Sequence, residues 1–253
     1  MINKIKYIVC CIVGVFLFLP AQSQNVIRPK IAGPGNLWVN SYNGVLFFEL
    51  TDLETQNSAM PMQLRFYYNS SACKVDYGYG LGFSMGFEMR YQEDVIGGVD
   101  IISGDGRIDH FTCYGNEYKA PAGVFSTLSK PTYNTYLLTT KEGDKYFFNN
   151  DVHHKITSFE DRYGNITEYK YQDSLLVEIK DAVGHTITLN YTDGLLSQAS
   201  ATFSPGKYRY EYDGLRRLRK RIDPLGNVTL YDYSHQNKID EIVDANGNRT
   251  LIA

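Results

Sequence analysis

The sequence has little net charge, a single tryptophan, four cysteines and no apolar run long enough to span a membrane. Its 253 residues carry 25 basic and 28 acidic side chains, and a formal charge of −3 excludes a broad basic field for nucleic acid. Hydrophobic residues at 43% and charged residues at 21% exclude a disordered chain and a multi-span membrane protein. The composition therefore predicts one large folded domain or two small ones.

Motifs for catalysis and metal binding are also missing. The sequence contains no His-Glu-x-x-His and no cysteine–histidine pair at an informative spacing. His153 and His154 are neighbours, and on a strand they point to opposite faces. The glycines between Gly78 and Gly86 fit neither common phosphate-binding fingerprint, so we interpret them as turns and bulges. We predict a protein that is not an enzyme, with no catalytic residue, no cofactor and no metal.

The first 23 residues have the pattern of a secretory signal peptide. Two lysines within Met1–Lys6 precede the apolar run Tyr7–Leu19, and Ala21–Ser23 offers small residues for cleavage. The run of about thirteen residues is shorter than the ~20 that a spanning helix needs. We expect a chain secreted across the inner membrane that is periplasmic, outer-surface or extracellular. After leader cleavage it has no transmembrane segment.

Two cysteines remain in the mature chain, because Cys10 and Cys11 leave with the leader. Cys73 and Cys113 are an even number in an oxidising compartment, which allows a disulfide. The other interpretation is two buried free thiols that act as small apolar side chains.

Almost no stretch of the mature chain has apolar residues at helical spacing. Short alternating runs recur instead, as in Met62–Tyr68 and Phe87–Tyr91. Val99–Ser103 and Arg107–Cys113 are joined by Gly104-Asp105-Gly106, whose Asp-Gly pair predicts a tight hairpin turn. The sequence predicts an all-β protein.

An internal repeat fills the C-terminal third of the chain. The spacings between its copies are 20, 21, 21 and 21 residues, and the copies begin at Asp161, Asp181, Thr202, Asp223 and Asp244. The fourth position is a turn residue in every copy: Gly164, Gly184, Pro205, Gly226 and Gly247. Tyrosines recur on the strand that follows, and they are Tyr169, Tyr171, Tyr191, Tyr210, Tyr212, Tyr231 and Tyr233.

Each copy is predicted to form one β-hairpin. The Asp-x-x-Gly-Asn start has turn chemistry, because Asp accepts hydrogen bonds from the backbone ahead of it and Gly takes the left-handed conformation. A second turn follows at Gln172-Asp173-Ser174, Asp193-Gly194 or Asp213-Gly214. Copies must add edge to edge, because a single hairpin is marginal in water. We expect a long antiparallel ribbon in which equivalent tyrosines stack as cross-strand neighbours.

The predicted organisation has four parts. A signal peptide at 1–23 and a linker at 24–35 precede a β-rich domain at 36–160, and the repeats occupy 161–253. The stretch from Gly143 to Thr157 is compatible with a degenerate earlier copy. The last copy stops after its first strand, which predicts an open sheet edge. Arg216 to Arg221 form the locally basic cluster, interpreted as a solvated strand or as a site for an acidic partner or lipid headgroups.

The repeat, with its Gly-Asn turn, Thr-x-Tyr-x-Tyr strand and Tyr-Asp-Gly-type turn, resembles the YD repeat of RHS proteins. The upstream stretches Asn43–Leu53, Pro61–Ser70 and Gly80–Ser84 resemble the domain that precedes RHS repeats, although Phe83 stands where tryptophan is usual. The resemblance implies a β-ribbon that spirals into a shell around a C-terminal cargo, often a toxin. Asp223–Gly226 partly match the family's self-cleavage segment, but they are in phase with the repeat and are interpreted as a turn.

Five hairpins give about ten strands and roughly 50 Å of sheet, enough for a curved, partial shell but not for a closed one. We therefore expect a secreted, non-enzymatic scaffold that forms part of a shell wall around a toxin or other cargo. Its expected partners are further RHS-repeat segments or that cargo, and no nucleic acid. The alternative is a cell-envelope surface module that binds glycans or proteins through its threonine and tyrosine stripe.

Overall fold

The computed structural model describes residues 26–27, 36–40, 42–55, 61–149, 153–233 and 237–252. The predicted signal peptide and most of the predicted linker lie outside these residues. Strands make up 58% of the structure and helix 1%, and the long antiparallel sheets are not closed on themselves. The all-β prediction, with an open ribbon, is therefore confirmed. No helix in the described part of the chain is long and apolar enough to cross a membrane.

A small antiparallel sheet lies near the N-terminus. Its five strands pair in chain order, and they are β1 (Val26–Ile27), β2 (Asn36–Asn40), β3 (Leu46–Glu54), β4 (Gln63–Asn69) and β5 (Phe83–Met85). A 3-10 turn at Ser70–Ala72 follows β4. Burial alternates along β3 and β4, because successive side chains point to opposite faces and one face is packed.

The second sheet has 17 strands. Its first four are β6 (Arg90–Glu93), β7 (Val99–Ile102), β8 (Ile108–Tyr114) and β9 (Glu117–Lys119). The next five are β10 (Thr127–Thr132), β11 (Thr135–Thr139), β12 (Lys145–Asn149), β13 (Lys155–Glu160) and β14 (Ile166–Gln172). The last eight are β15 (Leu175–Lys180), β16 (Thr186–Thr192), β17 (Leu195–Ala201), β18 (Ser204–Tyr212), β19 (Leu218–Ile222), β20 (Val228–Tyr233), β21 (Ile239–Val243) and β22 (Arg249–Leu251).

Strands β10 to β22 pair in chain order as one antiparallel strip, called here the hairpin ribbon. Strands β6 to β9 join it as a branch, where Arg90 of β6 pairs with Lys155 of β13. The predicted strand Phe87–Tyr91 was wrong over its first three residues, since β6 begins at Arg90.

Two rows of turns close the hairpin ribbon. The start edge carries the turns that begin the copies, and they lie at 140–144, 161–165, 181–185, 202–203, 223–227 and 244–248. The far edge carries the opposite turns, which include 173–174, 193–194 and 213–217. The turn that precedes the hairpin β12–β13 has the form of the later start turns, with a φ of 97° at Gly143. This turn begins at residue 140, which is 21 residues before Asp161. The ribbon therefore crosses residue 160 without a break.

A β-bulge recurs in the hairpins of the ribbon. The register shifts beside the tyrosine at the eleventh position of each copy, and these residues are Tyr171, Tyr191, Tyr212 and Tyr233. The same shift occurs at Phe148 in β12. Each bulge adds one residue to one strand and increases the local twist of the sheet.

The copy that begins at Thr202 departs from the others. Ala201 pairs with Ser204, so the turn between β17 and β18 has only two residues. Pro205 lies within β18, and the residue with positive φ is Gly206, at 79°. This copy lacks the starting aspartate, and no carboxylate is present to hold a longer turn.

Two of the predicted turns that contain an Asp-Gly pair each span five residues. In the turn Asp213–Arg217 the residue with positive φ is Arg216, at 64°. In the turn Ser103–Arg107 it is Gly106, at 87°. Both turns follow the start-edge pattern, in which the fourth residue is left-handed.

The main hydrophobic core lies between the small sheet and one face of the hairpin ribbon. Phe48, Phe66 and Phe83 contribute from the small sheet, and Leu176 and Tyr231 from the ribbon. A second core lies between the branch β6–β8 and the hairpins β10–β13. The small sheet thus covers the ribbon face that bears the repeat tyrosines.

Candidate functional site

The start turns are held by the aspartate that begins each copy. Asp161 Oδ1 accepts hydrogen bonds from the backbone N–H groups of Tyr163 (2.8 Å) and Asn165 (2.9 Å), and Oδ2 accepts from Asn165 Nδ2 (2.7 Å). Asp223 and Asp244 repeat this arrangement with the asparagines four residues ahead. In the second copy, Asp181 bonds the ring and backbone nitrogens of a histidine instead.

These hydrogen bonds favour the ionised aspartates. The side-chain amide of Asn165 is the main cause that lowers the pKa of Asp161, and Asn248 lowers that of Asp244 in the same way. Burial by itself raises the pKa of Asp223, but the hydrogen bonds from Asn227 and Leu225 and the charge of Arg221 together lower it. Each of these carboxylates therefore acts as the hydrogen-bond acceptor that closes its turn.

Glycine is needed at these turn positions because the backbone has a positive φ, and not because neighbouring atoms leave too little room for a side chain. Gly164, Gly184, Gly226 and Gly247 have φ values of 84°, 94°, 88° and 80°. A Cβ at any of them would meet no atom within 4 Å. These turns are consequently set by local chemistry alone.

The repeat tyrosines point at the small sheet and not at one another. Tyr231 stacks on Phe48 at a ring distance of 6.2 Å, and Tyr210 meets Phe66 at 5.7 Å. Within the described ranges, no ring contact joins two repeat tyrosines. The expected cross-strand stacking was wrong, because equivalent positions lie two strands apart, at ~10 Å, which exceeds the reach of a ring contact.

Tyrosine hydroxyls at the eleventh position connect successive hairpins. Tyr191 donates to the Leu176 carbonyl at 2.9 Å, and Tyr233 donates to the Leu218 carbonyl at 2.8 Å. Burial is the main cause that raises the pKa of both hydroxyls. Burial likewise raises the pKa of Tyr68 in the small sheet to about 12. The phenols at this interface are held in their neutral form.

A buried ion pair crosses the interface between the two sheets. Arg221 of β19 donates from Nε to Asp52 Oδ1 of β3 at 2.6 Å, and the two side chains are 5% and 0% exposed. Tyr210 donates its hydroxyl to Asp52 Oδ2, and the Arg221 guanidinium lies 4.8 Å from the centre of the Tyr208 ring. Burial is the largest single influence and lowers the pKa of Arg221, but the charge and hydrogen bond of Asp52, together with Tyr231 and Tyr210, raise that pKa overall. The cluster fixes the small sheet on the ribbon.

The locally basic cluster is neutralised within the molecule. Arg216 pairs with Asp76 (2.6 Å), Arg217 with Asp213 (2.7 Å), Arg219 with Asp232 (2.6 Å), Lys220 with Glu211 (3.2 Å), and Arg221 with Asp52. Sequence reasoning missed this pairing. One signal was present, since Arg221 lies opposite Tyr210 in a register column where the other copies have Ile179, Ala199 and Ile242.

The segment Asp76–Gly82, called here the glycine loop, runs along the far edge of the ribbon. Leu196 N–H donates to the Gly78 carbonyl at 2.8 Å, and Leu81 N–H donates to the Arg216 carbonyl at 3.1 Å. Gly80 has a φ of 93°, and a Cβ there would lie 3.0 Å from the Tyr212 ring. These glycines allow close backbone approach to the turns.

The described cysteines and acidic groups form no further centre. Cys73 is buried and Cys113 is half-buried, both are free thiols, and Cys113 Sγ donates to the Gly115 carbonyl at 3.3 Å. Within the described ranges, no group of three or more histidine, cysteine, aspartate or glutamate side chains is placed to hold a metal ion. The repeat residues therefore make a structural interface between two sheets.

Comparison with known families gives one finding. Residues 38–111 match the model of DUF6531, a domain of unknown function. The match covers most of β2, then β3 to β7, and most of β8. A comparison with curated proteins found no match for the chain.

Proposed function

We propose that this chain is a secreted, non-enzymatic scaffold of the RHS/YD-repeat kind, whose hairpin ribbon forms part of a β-shell wall associated with a toxin or other cargo. The observation that carries the proposal is the ribbon itself, in which thirteen consecutive strands pair in chain order. The DUF6531 match in the segment ahead of the ribbon is compatible with it.

A shell wall needs a sheet edge to which further strands can be added, and a sheet face that is not covered by the rest of the chain. At ~4.8 Å per strand, thirteen strands make a strip about 60 Å wide. Within the described residues, β22 pairs with β21 on one side and has no strand on its other side. The face away from the small sheet is polar and carries cross-strand pairs such as Lys207 with Gln198 (2.9 Å). A cargo or a further winding of ribbon would meet that polar face or that edge.

The alternative, a glycan-binding surface module, loses its expected surface. The rings of Tyr210, Tyr231 and Tyr233 are buried under the small sheet, so a sugar cannot reach them. The absence of catalytic activity stays a prediction. Secretion, and with it the expected periplasmic or surface location, also remains a prediction.

Site-specific photo-crosslinking in the native cells tests the proposal. A photoreactive amino acid at Leu251, which is 74% exposed in β22, would report what lies beside the open edge. The expected product joins this chain to a polypeptide with the same turn-and-tyrosine spacing, or to a toxin-like cargo. The matched control is Val183, which is 75% exposed in a start turn.

Crosslinking identical from both positions would contradict the proposal, because it would show no preference for the edge. Crosslinks that form only within single molecules would contradict it too.

A further inference from the structure

A cleft of about 180 Å³ with a mixed polar and apolar lining lies within the DUF6531-matched segment, beside the small sheet. Five segments converge on it: the end of β4 with the 3-10 turn, the glycine loop, β5, the start of β6, and the turn 103–107. The polar side chains that line it include Asn69, Ser71, Tyr77, Ser84, Arg90 and Asp105.

Close backbone packing builds the walls of this cleft. A Cβ at Gly104 would lie 2.3 Å from the Met85 carbonyl oxygen, so only glycine lets the turn 103–107 dock on β5. A Cβ at Gly82 would lie 2.7 Å from the Tyr68 ring. The cleft is therefore a fixed feature of the fold and not a gap between mobile side chains.

Arg90 is the unusual group in the cleft. Its guanidinium lies 4.6 Å from the centre of the Tyr77 ring, and Nη2 donates to the Tyr77 hydroxyl at 3.1 Å. Among the described residues, no carboxylate lies within ion-pair distance of Arg90, although it is partly buried. Two arginines of the ribbon, Arg217 and Arg221, each pair with an aspartate instead. An anion in the cleft would give the half-buried Arg90 guanidinium the charged partner that the two ribbon arginines already have.

The other charges restrict which anion fits. Glu88 lines the cleft but is paired with Lys155, which also donates to the Ser174 carbonyl at 2.9 Å. Asp105 lines the cleft from the turn and adds a negative charge that disfavours a dianion such as phosphate. A guanidinium fork suits a carboxylate, and Asp105 suits an ammonium group.

We propose that this cleft binds a free α-amino acid, with the carboxylate at Arg90 and the ammonium group facing Asp105. The volume accommodates a small amino acid, and the hydroxyls of Ser71 and Ser84 border the same space. This binding site is independent of the scaffold role of the ribbon.

Nuclear magnetic resonance titration of the purified protein tests the site. L-Alanine is expected to shift the amide signals of Ser71, Ser84 and Gly104 in a saturable way and to leave Gly247, in a distant start turn, unchanged. L-Alaninamide, which lacks the carboxylate, and inorganic phosphate are expected to leave all four unchanged. Equal shifts with L-alaninamide, stronger binding of phosphate, or no saturable shift with L-alanine would overturn the proposal.

The variant Arg90→Gln should weaken L-alanine binding by about tenfold or more, because it removes a charge-assisted pair. The matched control is Arg162→Gln at an exposed arginine of a start turn, which should bind as the unmodified protein does. Arg90→Lys keeps the charge and loses the fork, and it should bind at an intermediate level. Unchanged binding in Arg90→Gln would overturn the proposal. The comparison of L-alanine with L-alaninamide on the unmodified protein decides the question even where a variant misfolds.

Discussion

The two edges of the hairpin ribbon are made by the same strands but closed in different ways. On the start edge, an aspartate and a left-handed glycine close four of the turns with bonds that stay within five residues. On the far edge, the turns differ in length, and the glycine loop packs against them. Arg216 there bonds to Asp76, which is 140 residues earlier in the chain.

This difference separates local from long-range specification. The start turns are set by short local sequences, and the same aspartate and glycine recur in four of the five copies. The far edge and the tyrosine face depend on the small sheet, and they form only when residues far apart in sequence meet. Disruption of the covered side should therefore cost more stability than disruption of the start edge.

The largest expected effect is alkaline unfolding of the covered side. Burial raises the pKa of Tyr79, Tyr169, Tyr210, Tyr212 and Tyr231 above the ordinary value of 10.0. Below pH 10 both states keep these protons, so stability is unaffected. Above it the unfolded state releases them and the folded state does not, so each tyrosine lowers the free energy of unfolding by about 1.4 kcal/mol per pH unit. The phenolate absorbance of these buried tyrosines should rise together with loss of the β circular-dichroism signal. A rise of the full phenolate signal with the β signal intact would contradict the burial.

The next effect concerns the buried ion pair. Arg221→Ala leaves Asp52 charged and without its partner, and it should lower the free energy of unfolding by about 3–5 kcal/mol. The control is Arg219→Ala, whose pair with Asp232 is exposed and should contribute about 1 kcal/mol or less. Urea unfolding midpoints measure both variants. Equal losses would show that the Asp52 cluster does not hold the sheets together.

A matched pair of glycine substitutions compares the edges directly. Gly226→Val on the start edge has free space but a φ of 88°, so strain should lower stability by a little more than ~1 kcal/mol. Gly80→Val on the far edge adds overlap with the Tyr212 ring, and the loss should reach about 3 kcal/mol. Thermal unfolding of the two variants provides the measurement. If Gly226→Val melted at the lower temperature, the assignment of the two edges would be reversed.

The smallest effect is an acid dependence of the start edge. The pKa values of Asp161, Asp223 and Asp244 are lowered from 3.8, so their contribution is present above pH 3.8 and is lost as pH falls through the lowered values. Replacing all three with asparagine should flatten the decline in melting temperature below pH 4. A decline as steep as that of the unmodified protein would assign the acid sensitivity to other groups.

The features that the sequence predicts are the locally determined ones, and the features that it does not predict depend on long-range contacts. The hairpins and the start turns could be read from Asp161, Gly164 and their equivalents, because their causes lie within a few residues. The Asp52–Arg221 pair could not, since its partners are 169 residues apart and the basic run suggested an exposed strand. The close packing of Gly80 and the unpaired charge of Arg90 also depend on tertiary contacts that a sequence pattern does not display.

The recurring bulges have a consequence for size and shape. Because one register shift accompanies each eleventh-position tyrosine, these four hairpins each take the same kind of local bend from their own residues. Gene duplication or deletion of whole units would then change the arc length and leave the radius of curvature intact, which makes the number of units the variable on which evolution can act.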